Sequence, residues 1–191
     1  IYSLWMARKV INESFLLLES DLIFDETLLD DMLYPDSMAL AKMQPWMNGT
    51  CVTLDQSDNV NAFVSENSEV SIENKFKTVN IYSLSLNSWK KVIKNLNKQI
   101  SKGNVNSYYE TIFADMVLDN SLNFKSVSFD SKPWYEIDTL EDLVEAEKVF
   151  ASPENKMADL VSLSKESPLY TKLFKPIPTP VRTMGVLSAA K

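Results

Sequence analysis

A run of four apolar residues that leads directly into acidic residues constrains the fold of this chain more than any other feature. The run is Phe15–Leu18, and Glu19, Asp21 and Asp25 follow it. A short apolar run with polar flanks predicts a strand buried on both faces of a parallel sheet. Ligands bind beyond the carboxyl ends of such strands, where an aspartate supplies the oxygen ligands that a divalent cation prefers. The alternative is that Asp21 or Asp25 starts a turn or caps a helix over Glu26–Leu33.

Composition excludes several classes of protein. The 191 residues carry a net charge of −7, which argues against general nucleic-acid binding because that function needs a basic surface. The sequence has no histidine and a single cysteine, so histidine catalysis, histidine-ligated zinc and multi-cysteine metal sites are excluded. No apolar stretch approaches the roughly 20 residues of a membrane span, and no signal-peptide pattern opens the chain. We therefore expect no membrane partner and a cytoplasmic location.

Hydrophobic periodicity predicts strands and helices that alternate along residues 1–150, the pattern of an α/β domain. Helices are expected over 1–10, 26–33, 87–101, 107–118 and 140–150. Strands are expected over 15–18, 37–43, 50–54, 60–64, 78–84, 123–129 and 134–137. A cluster of Asp, Ser and Asn at 55–59 predicts that the strands on either side of it form a hairpin.

A second strand that ends in an acid repeats the pattern of the opening run. The expected strand 134–137 ends at Asp138, and a helix over Leu140–Phe150 follows. Asp138 and Glu141 also have the spacing of a capping box, which satisfies the free amides of a helix's first turn. From the residues alone, Asp138 is therefore either a helix cap or a second acid of a site.

Four segments of the chain together resemble one enzyme family. They are IYSLWMAR at 1–8, LLESDLIF at 17–24, TVNIY at 78–82 and WYEID at 134–138, in this order. The set resembles the carboxyl-terminal portion of the sugar-phosphate type nucleotidyltransferases. It is most similar to the cytidylyltransferases that act on phosphocholine or 2-aminoethylphosphonate. The resemblance covers residues 1–150.

This resemblance implies a Rossmann-like (GT-A-like) α/β sheet with flanking helices. It implies transfer of a nucleotidyl group from CTP, or a related nucleoside triphosphate, to a small phosphate or phosphonate acceptor, with release of pyrophosphate. It also implies that Asp21 and Asp138 hold Mg²⁺. In-line attack on an α-phosphate needs charge neutralisation and alignment more than a proton-transfer residue, so a protein without histidine suits this reaction. The alternatives are a sugar-1-phosphate nucleotidyltransferase with the same aspartates, and a catalytically silent regulatory or assembly domain.

Four polar residues are further candidates for the site. Lys77 is a candidate for contact with the acceptor phosphate, and Glu136 for support of the metal or for binding an acceptor amine. Glu110 is a candidate for neutralising a primary amine, and Asn80 lies in the TVNIY segment and is assigned to substrate binding. The alternative for a single lysine such as Lys77 is an ordinary solvated position.

Three aromatic residues are candidates for an aromatic wall around a quaternary ammonium group. They are Trp46, Tyr109 and Trp134. A cation over an aromatic face is attracted by the negative face of the ring. The alternative for all three is an ordinary place in the hydrophobic core.

The chain lacks the glycine-rich loop that cradles nucleotide phosphates in the family. Its glycines are only Gly49, Gly103 and Gly185, too scattered to form such a loop. In the order of the family this loop precedes Ile1, so we expect the 191-residue chain alone to be inactive. Residues 1–150 are interpreted as the carboxyl-terminal portion of a nucleotidyltransferase domain, with its amino-terminal part missing. Residues 151–191 are interpreted as a helix, a Pro-rich linker and the start of a further module to which the domain is fused.

Overall fold

The computed structural model describes residues 1–44, 47–65 and 67–150. The chain divides into a compact unit, Ile1–Ala146, and a second unit, Glu147–Lys191. The helix, linker and further module predicted over 151–191 lie outside the described residues. Within the part of the chain that is described, no helix has both the length and the apolar character needed to cross a membrane.

The first unit is an α/β domain with a central mixed sheet and flanking helices, as the sequence predicts. The α-helices and strands of the described residues are α1 (Tyr2–Ala7), β1 (Phe15–Leu18), β2 (Leu22–Phe24), β3 (Ser37–Lys42), β4 (Cys51–Leu54), β5 (Val60–Val64), β6 (Phe76–Leu84), α2 (Leu86–Ser101), α3 (Glu110–Leu118), β7 (Lys125–Ser128), β8 (Trp134–Glu136) and α4 (Leu140–Phe150), which begins in the first unit and continues past its last residue, Ala146. The six-stranded sheet has the order β5-β4-β6-β3-β7, and β1 also pairs with β6. A second, two-stranded sheet pairs β2 with β8.

β1 differs from the prediction in the direction of its neighbour. The predicted doubly buried strand of a parallel sheet is wrong, because β1 is antiparallel to β6, with Phe15 opposite Leu84 and Leu18 opposite Ile81. The residues of β1 are half-buried or exposed. The strand with both faces buried is β6, in which every residue after Phe76 is buried. An apolar run reports the burial of its own side chains and not the direction of the strand beside it. The parallel pair of this sheet is β3 with β7.

The two faces of the sheet carry separate hydrophobic cores. Along β3, Met38 and Leu40 belong to one core, while Ala39 and Ala41 belong to the other, as the alternation of side chains in a strand requires. Helices α2 and α3 close the larger core, with the buried residues Trp89, Val92, Leu96, Ile112, Phe113 and Met116. The smaller core is closed by the segment between β2 and β3, through Leu28 and Met32, and by Trp134 of β8.

Most predicted elements are present, and the differences have local causes. The predicted hairpin is confirmed, since β4 and β5 pair antiparallel. The helix predicted over Glu26–Leu33 has these bounds but is a 3-10 helix. It ends where Tyr34 becomes extended, because the following Pro35 disfavours helical backbone in the residue before it. Helix α3 begins at Glu110, three residues later than predicted.

β6 has two partners on the same edge, and this arrangement opens the sheet at its centre. Phe76 and Lys77 pair with β4, whereas residues 81–84 pair with β1. Between them Asn80 has a φ of 58°, a left-handed conformation that asparagine tolerates better than most residues. The pairing of β6 with β3 changes register at the same place, as a β-bulge does. Asn80 therefore faces the space between the ends of β1 and β4.

Two substitutions at Asn80 separate the backbone contribution to stability from the side-chain contribution. Asn80→Ala and Asn80→Gly both remove the amide group, but only glycine adopts a positive φ without a steric penalty. We expect the alanine variant to have a free energy of unfolding about 1 kcal/mol lower than the glycine variant. Urea denaturation measures the difference. Equal stabilities, or a more stable alanine variant, would contradict a left-handed Asn80.

Candidate functional site

A cavity of about 710 Å³ lies where β1 and β4 diverge along β6. Lining residues come from the end of β1, the loop before β4, the centre of β6, the start of α3 and the end of β8. The acidic residues of the lining are Glu19, Asp21, Glu110, Glu136 and Asp138. Lys77 is the only basic residue among the described residues of the lining. This excess of negative charge favours cationic ligands.

Lys77, Glu136 and Asn80 form a clamp that joins the two sheets. The Lys77 Nζ atom lies 3.0 Å from Glu136 Oε2, and the lysine side chain is only 6% exposed. Asn80 donates from Nδ2 to Glu136 Oε1 at 2.8 Å, and its own Oδ1 accepts from the Thr78 hydroxyl at 2.9 Å. Both oxygens of the Glu136 carboxylate on β8 are thus bound by side chains of β6.

Gly49 covers the same lysine from the side of β4. Its φ is 95°, a conformation that favours glycine, and a Cβ atom here would lie 3.2 Å from Lys77 Nζ. Lys77 is therefore enclosed between the backbone of the loop and the Glu136 carboxylate. The structure gives this lysine an anionic partner within the protein, and its contact with an acceptor phosphate stays a prediction.

Asp21 and Asp138 lie at the same end of the small sheet. The ladder of β2 and β8 continues beyond the strands, because the backbone N–H of Ile137 donates to the carbonyl oxygen of Asp21 at 2.8 Å. Both aspartates line the cavity. The Oδ1 atom of Asp21 is buried and has no hydrogen-bond partner among the described residues. A buried carboxylate oxygen without a partner is costly unless a ligand satisfies it.

Other residues perform the capping that the sequence allows for these two aspartates. Asp25 caps the 3-10 helix that follows it. At α4, Thr139 N–H donates to Asp142 Oδ2 at 2.8 Å and Asp142 N–H donates to the Thr139 hydroxyl at 3.2 Å. The predicted capping box of Asp138 with Glu141 is therefore wrong. Thr139 stands one residue nearer the first turn, so that its hydroxyl reaches the free amide at the correct spacing.

The two aspartates fit Mg²⁺ in the number and type of ligands. Mg²⁺ is usually bound through one or two carboxylates, and water and substrate phosphates complete its octahedron. The described residues contain no group of three or more His, Cys, Asp or Glu that could hold a metal by themselves. A pair of carboxylates, one of them with an unsatisfied buried oxygen, suits an ion that arrives with nucleotide phosphates.

Two tyrosines hold the carboxylates on the other side of the cavity. Tyr82 donates to Glu110 Oε1 at 2.6 Å, and the Thr50 hydroxyl donates to Glu110 Oε2 at 2.9 Å. Tyr109 donates to Glu19 Oε1 at 2.7 Å. The rings of Tyr82 and Tyr109 meet edge to face, with centroids 5.9 Å apart. Burial raises the pKa of both tyrosines, so both hydroxyls remain protonated donors.

The pKa of Glu19 is raised above its ordinary value of 4.5, mainly by burial, and the hydrogen bond from Tyr109 opposes this shift. The negative charge of Glu110 raises the pKa further. Because the pKa is higher in the folded protein than in the unfolded chain, the folded state binds this proton more tightly. The stability that the protonated group contributes is fully present below pH 4.5 and is lost as the pH rises through the folded pKa.

Glu19→Gln should therefore stabilise the protein at neutral pH but not in acid. Glutamine still accepts the hydrogen bond from Tyr109 and removes the penalty of ionising Glu19. We expect the free energy of unfolding of the variant, relative to the wild type, to rise between pH 4 and pH 8. Urea denaturation across this range measures it, with the exposed Glu73→Gln as the control. A difference that does not change with pH would contradict the raised pKa.

The structure brings most of the predicted polar residues together and leaves the aromatic ones elsewhere. The polar candidates in the cavity lining are Asp21, Lys77, Asn80, Glu110, Glu136 and Asp138. Trp134 packs against the smaller core. Tyr109 is absent from the lining, although its chain neighbours Tyr108 and Glu110 belong to it and its hydroxyl group donates to Glu19. Trp46 lies outside the described residues. The predicted aromatic wall is thus not assembled by Tyr109 and Trp134.

Sequence reasoning missed Glu19 and Tyr82 as residues of the site. Glu19 belongs to the acid cluster after β1, and its position directly beyond the strand was the signal that could have found it. Tyr82 has no such signal, because a tyrosine within an apolar strand predicts a core residue. Its ring is indeed buried, and only its hydroxyl reaches the cavity acid Glu110.

Comparison with solved structures identifies the fold. The inositol-1-phosphate CTP transferase from T. maritima matches with a TM-score of 0.58 and 19% identity, over 77% of this chain and 60% of that one. The CTP:phosphocholine cytidylyltransferase from Streptococcus pneumoniae matches with a TM-score of 0.64 and 15% identity, over 78% of this chain and 62% of that one. The domain has a nucleotidyltransferase fold.

The extent of this likeness is limited in two respects. The chain spans about 60% of the length of the solved structures it matches. No protein-family model and no curated protein matches the sequence. The two neighbours are described with different acceptors, inositol-1-phosphate and phosphocholine, so the fold alone does not select an acceptor.

Proposed function

We propose that the protein to which this chain belongs transfers a nucleotidyl group, a cytidylyl group from CTP, to a small phosphorylated or phosphonate acceptor. In this reaction an acceptor oxygen forms a bond to the α-phosphorus of the nucleotide. The bond between the α-phosphorus and the bridging oxygen breaks, and pyrophosphate leaves with that oxygen. The proposal includes a cytoplasmic location, where nucleoside triphosphates are available.

One observation carries the proposal: in a nucleotidyltransferase fold, Asp21 and Asp138 both line an acidic cavity at one end of the small sheet. They come from separate segments of the chain and are brought together by the ladder of β2 and β8. Within residues 1–44, 47–65 and 67–150, neither aspartate caps a helix, and the buried Asp21 Oδ1 atom has no hydrogen-bond partner. A pair of carboxylates with an unsatisfied oxygen suits a divalent cation that arrives with a triphosphate.

Each residue of the site then has a distinct role. Asp21 and Asp138 would hold Mg²⁺, which would supply positive charge to neutralise the phosphate oxygens of the nucleotide. Glu136 supports this end of the small sheet, because Lys77 and Asn80 fix both of its oxygens. The clamp is therefore a positioning device that sets the distance of β8, and so of Asp138, from the main sheet.

The charge of the cavity favours an acceptor that carries a positive group. With the charge of Lys77 balanced by Glu136, four lining acids remain: Glu19, Asp21, Glu110 and Asp138. One divalent cation offsets two of these charges. A phosphocholine-like or aminoalkylphosphonate acceptor supplies a further positive charge, which a neutral sugar on a sugar 1-phosphate does not. Charge therefore ranks the sugar-1-phosphate alternative second.

A screen of pyrophosphate release by the full-length protein tests the proposal. CTP and UTP are each combined with phosphocholine, 2-aminoethylphosphonate, inositol-1-phosphate and glucose-1-phosphate, with and without Mg²⁺. We expect Mg²⁺-dependent release with CTP and a cationic acceptor, and no release by the 191-residue chain alone. Release with sugar phosphates only would favour the second candidate. No release with any pair would leave the silent regulatory domain as the better account.

A further inference from the structure

Asp21 and Asp138 are the proposed metal ligands, and Glu136 is paired with Lys77. Two further acidic residues of the described cavity lining have neither a proposed metal nor an ion pair to balance their charge. They are Glu19 and Glu110, and both line the cavity. Their side chains accept hydrogen bonds from Tyr109 and Tyr82, whose ring centroids are 5.9 Å apart. Besides Lys77, the described lining residues include no lysine or arginine that could offset them. The region near the start of α3 is therefore a concentrated negative part of the cavity wall.

Three hydroxyl groups, one of them on a fully buried side chain, hold these two carboxylates by hydrogen bonds. Tyr82 is fully buried, and its hydroxyl group lies 2.6 Å from Glu110 Oε1. Thr50 holds the second oxygen of Glu110, and Tyr109 holds Oε1 of Glu19. Each such donor occupies one lone pair, and a carboxylate oxygen has two. Both side chains therefore keep acceptor capacity for a ligand in the cavity.

This chemistry distinguishes a primary ammonium group from a quaternary one. A primary ammonium has three N–H donors for carboxylate oxygens, whereas a quaternary ammonium has none and is recognised by aromatic faces. The aromatic residue among the described lining residues is Tyr108, which is 79% exposed. Tyr82 and Tyr109 pack against each other and against Phe113, so their rings belong to the larger core.

We propose that Glu19 and Glu110 form a subsite that selects an acceptor with a primary ammonium, an aminoalkyl phosphate or phosphonate, over one with a quaternary ammonium. The inference rests on the proposed function in that the acceptor binds in this cavity. The ammonium group donates to the free lone pairs of the two carboxylates. Its positive charge also offsets the negative charges of the two carboxylates.

Phosphoethanolamine and phosphocholine are matched probes, because they differ only in three N-methyl groups. Pyrophosphate release by the full-length protein is measured with CTP, Mg²⁺ and each acceptor. We expect kcat/KM to be higher for phosphoethanolamine by about tenfold or more, the effect of one or two charge-assisted hydrogen bonds. Equal values, or a preference for phosphocholine, overturn the subsite and leave the proposed reaction intact.

Glu110→Gln and Glu19→Gln test the two residues individually. Glutamine still accepts the hydrogen bonds from the tyrosines, so the fold is preserved while the charge is removed. We expect each variant to lose about tenfold in kcat/KM for phosphoethanolamine through KM, to lose less for phosphocholine, and to keep the KM for CTP. Glu73→Gln, outside the cavity, is the control and should match the wild type. Variants that leave the preference between the two acceptors unchanged overturn the assignment.

A binding measurement separates failure of the subsite from failure of the proposed reaction. If no acceptor supports pyrophosphate release, ligand-observed NMR still compares the binding of phosphoethanolamine and phosphocholine to the full-length protein. Stronger binding of phosphoethanolamine that weakens in Glu110→Gln supports the subsite in that case. Absence of such a difference overturns it.

Discussion

Asp21→Asn and Asp138→Asn should each reduce Mg²⁺-dependent pyrophosphate release by the full-length protein by a factor on the order of 10²–10³. Asparagine preserves the size of the side chain but removes the charge that holds a divalent cation. The substitution at Asp21 also changes the carboxylate whose buried Oδ1 atom finds no partner in the described part of the chain. We expect the Mg²⁺ concentration for half-maximal rate to rise in both variants. Initial rates across a Mg²⁺ titration measure both quantities.

Asp25→Asn is the matched control for this pair. Asp25 lies four residues from Asp21, but it caps a 3-10 helix and lies outside the cavity lining. The Asp25→Asn variant should have a slightly lower free energy of unfolding and the same Mg²⁺ dependence of the rate as the wild type. Near-normal Mg²⁺-dependent rates in either the Asp21 or the Asp138 variant would refute the role assigned to that residue.

Lys77→Met should give the largest loss of stability among the substitutions considered. Removal of one partner from a buried ion pair leaves the other charge uncompensated, which costs about 3–5 kcal/mol when both groups are fully buried. Glu136 is 21% exposed, so we expect the free energy of unfolding to fall by about 2–4 kcal/mol. The double variant Lys77→Met/Glu136→Gln should recover much of this loss, because no charge is then left unpaired. Urea denaturation of the three proteins measures the effect.

A surface ion pair supplies the control for the clamp. Lys132 lies 3.5 Å from Asp25, and both side chains are 39% exposed. Lys132→Met should change the free energy of unfolding by less than about 1 kcal/mol, because water screens such pairs. If Lys77→Met costs no more than Lys132→Met, or if the double variant recovers nothing, the clamp does not hold the two sheets as described.

The parts of the site that sequence could predict are those that depend on position relative to a strand. Asp138 follows β8, whereas Asp21 lies between β1 and β2. Each aspartate was expected after a strand, but β2 was not predicted, and its antiparallel pairing with β8 is what brings the two residues to the same end of the small sheet. Their assignment to one site rested on the resemblance. The orientation of β1 was not predictable from its own residues, because the strand beside it comes from far along the chain. β1 pairs with residues 81–84, more than 60 positions away.

Side-chain partners were harder to predict than positions. Lys77 looked like a cation available for a phosphate, but the bulge at Asn80 and the position of Glu136 determine its partner. Likewise, both Asp138 and Thr139 are residue types that cap helices, and the structure uses Thr139, one position later, to cap α4. The choice of hydrogen-bond partner depends on differences of a few ångströms in the folded chain, and these cannot be predicted from the spacing of residues along the sequence.

The location of a bound cation tests the central claim most directly. Crystals of the full-length protein grown with Mn²⁺ and a non-hydrolysable CTP analogue give an anomalous signal at the metal. We predict a peak within coordination distance of the carboxylates of both Asp21 and Asp138, at the end of the β2–β8 ladder. A well-occupied metal bound elsewhere, with these two carboxylates free of it, would contradict the proposed site.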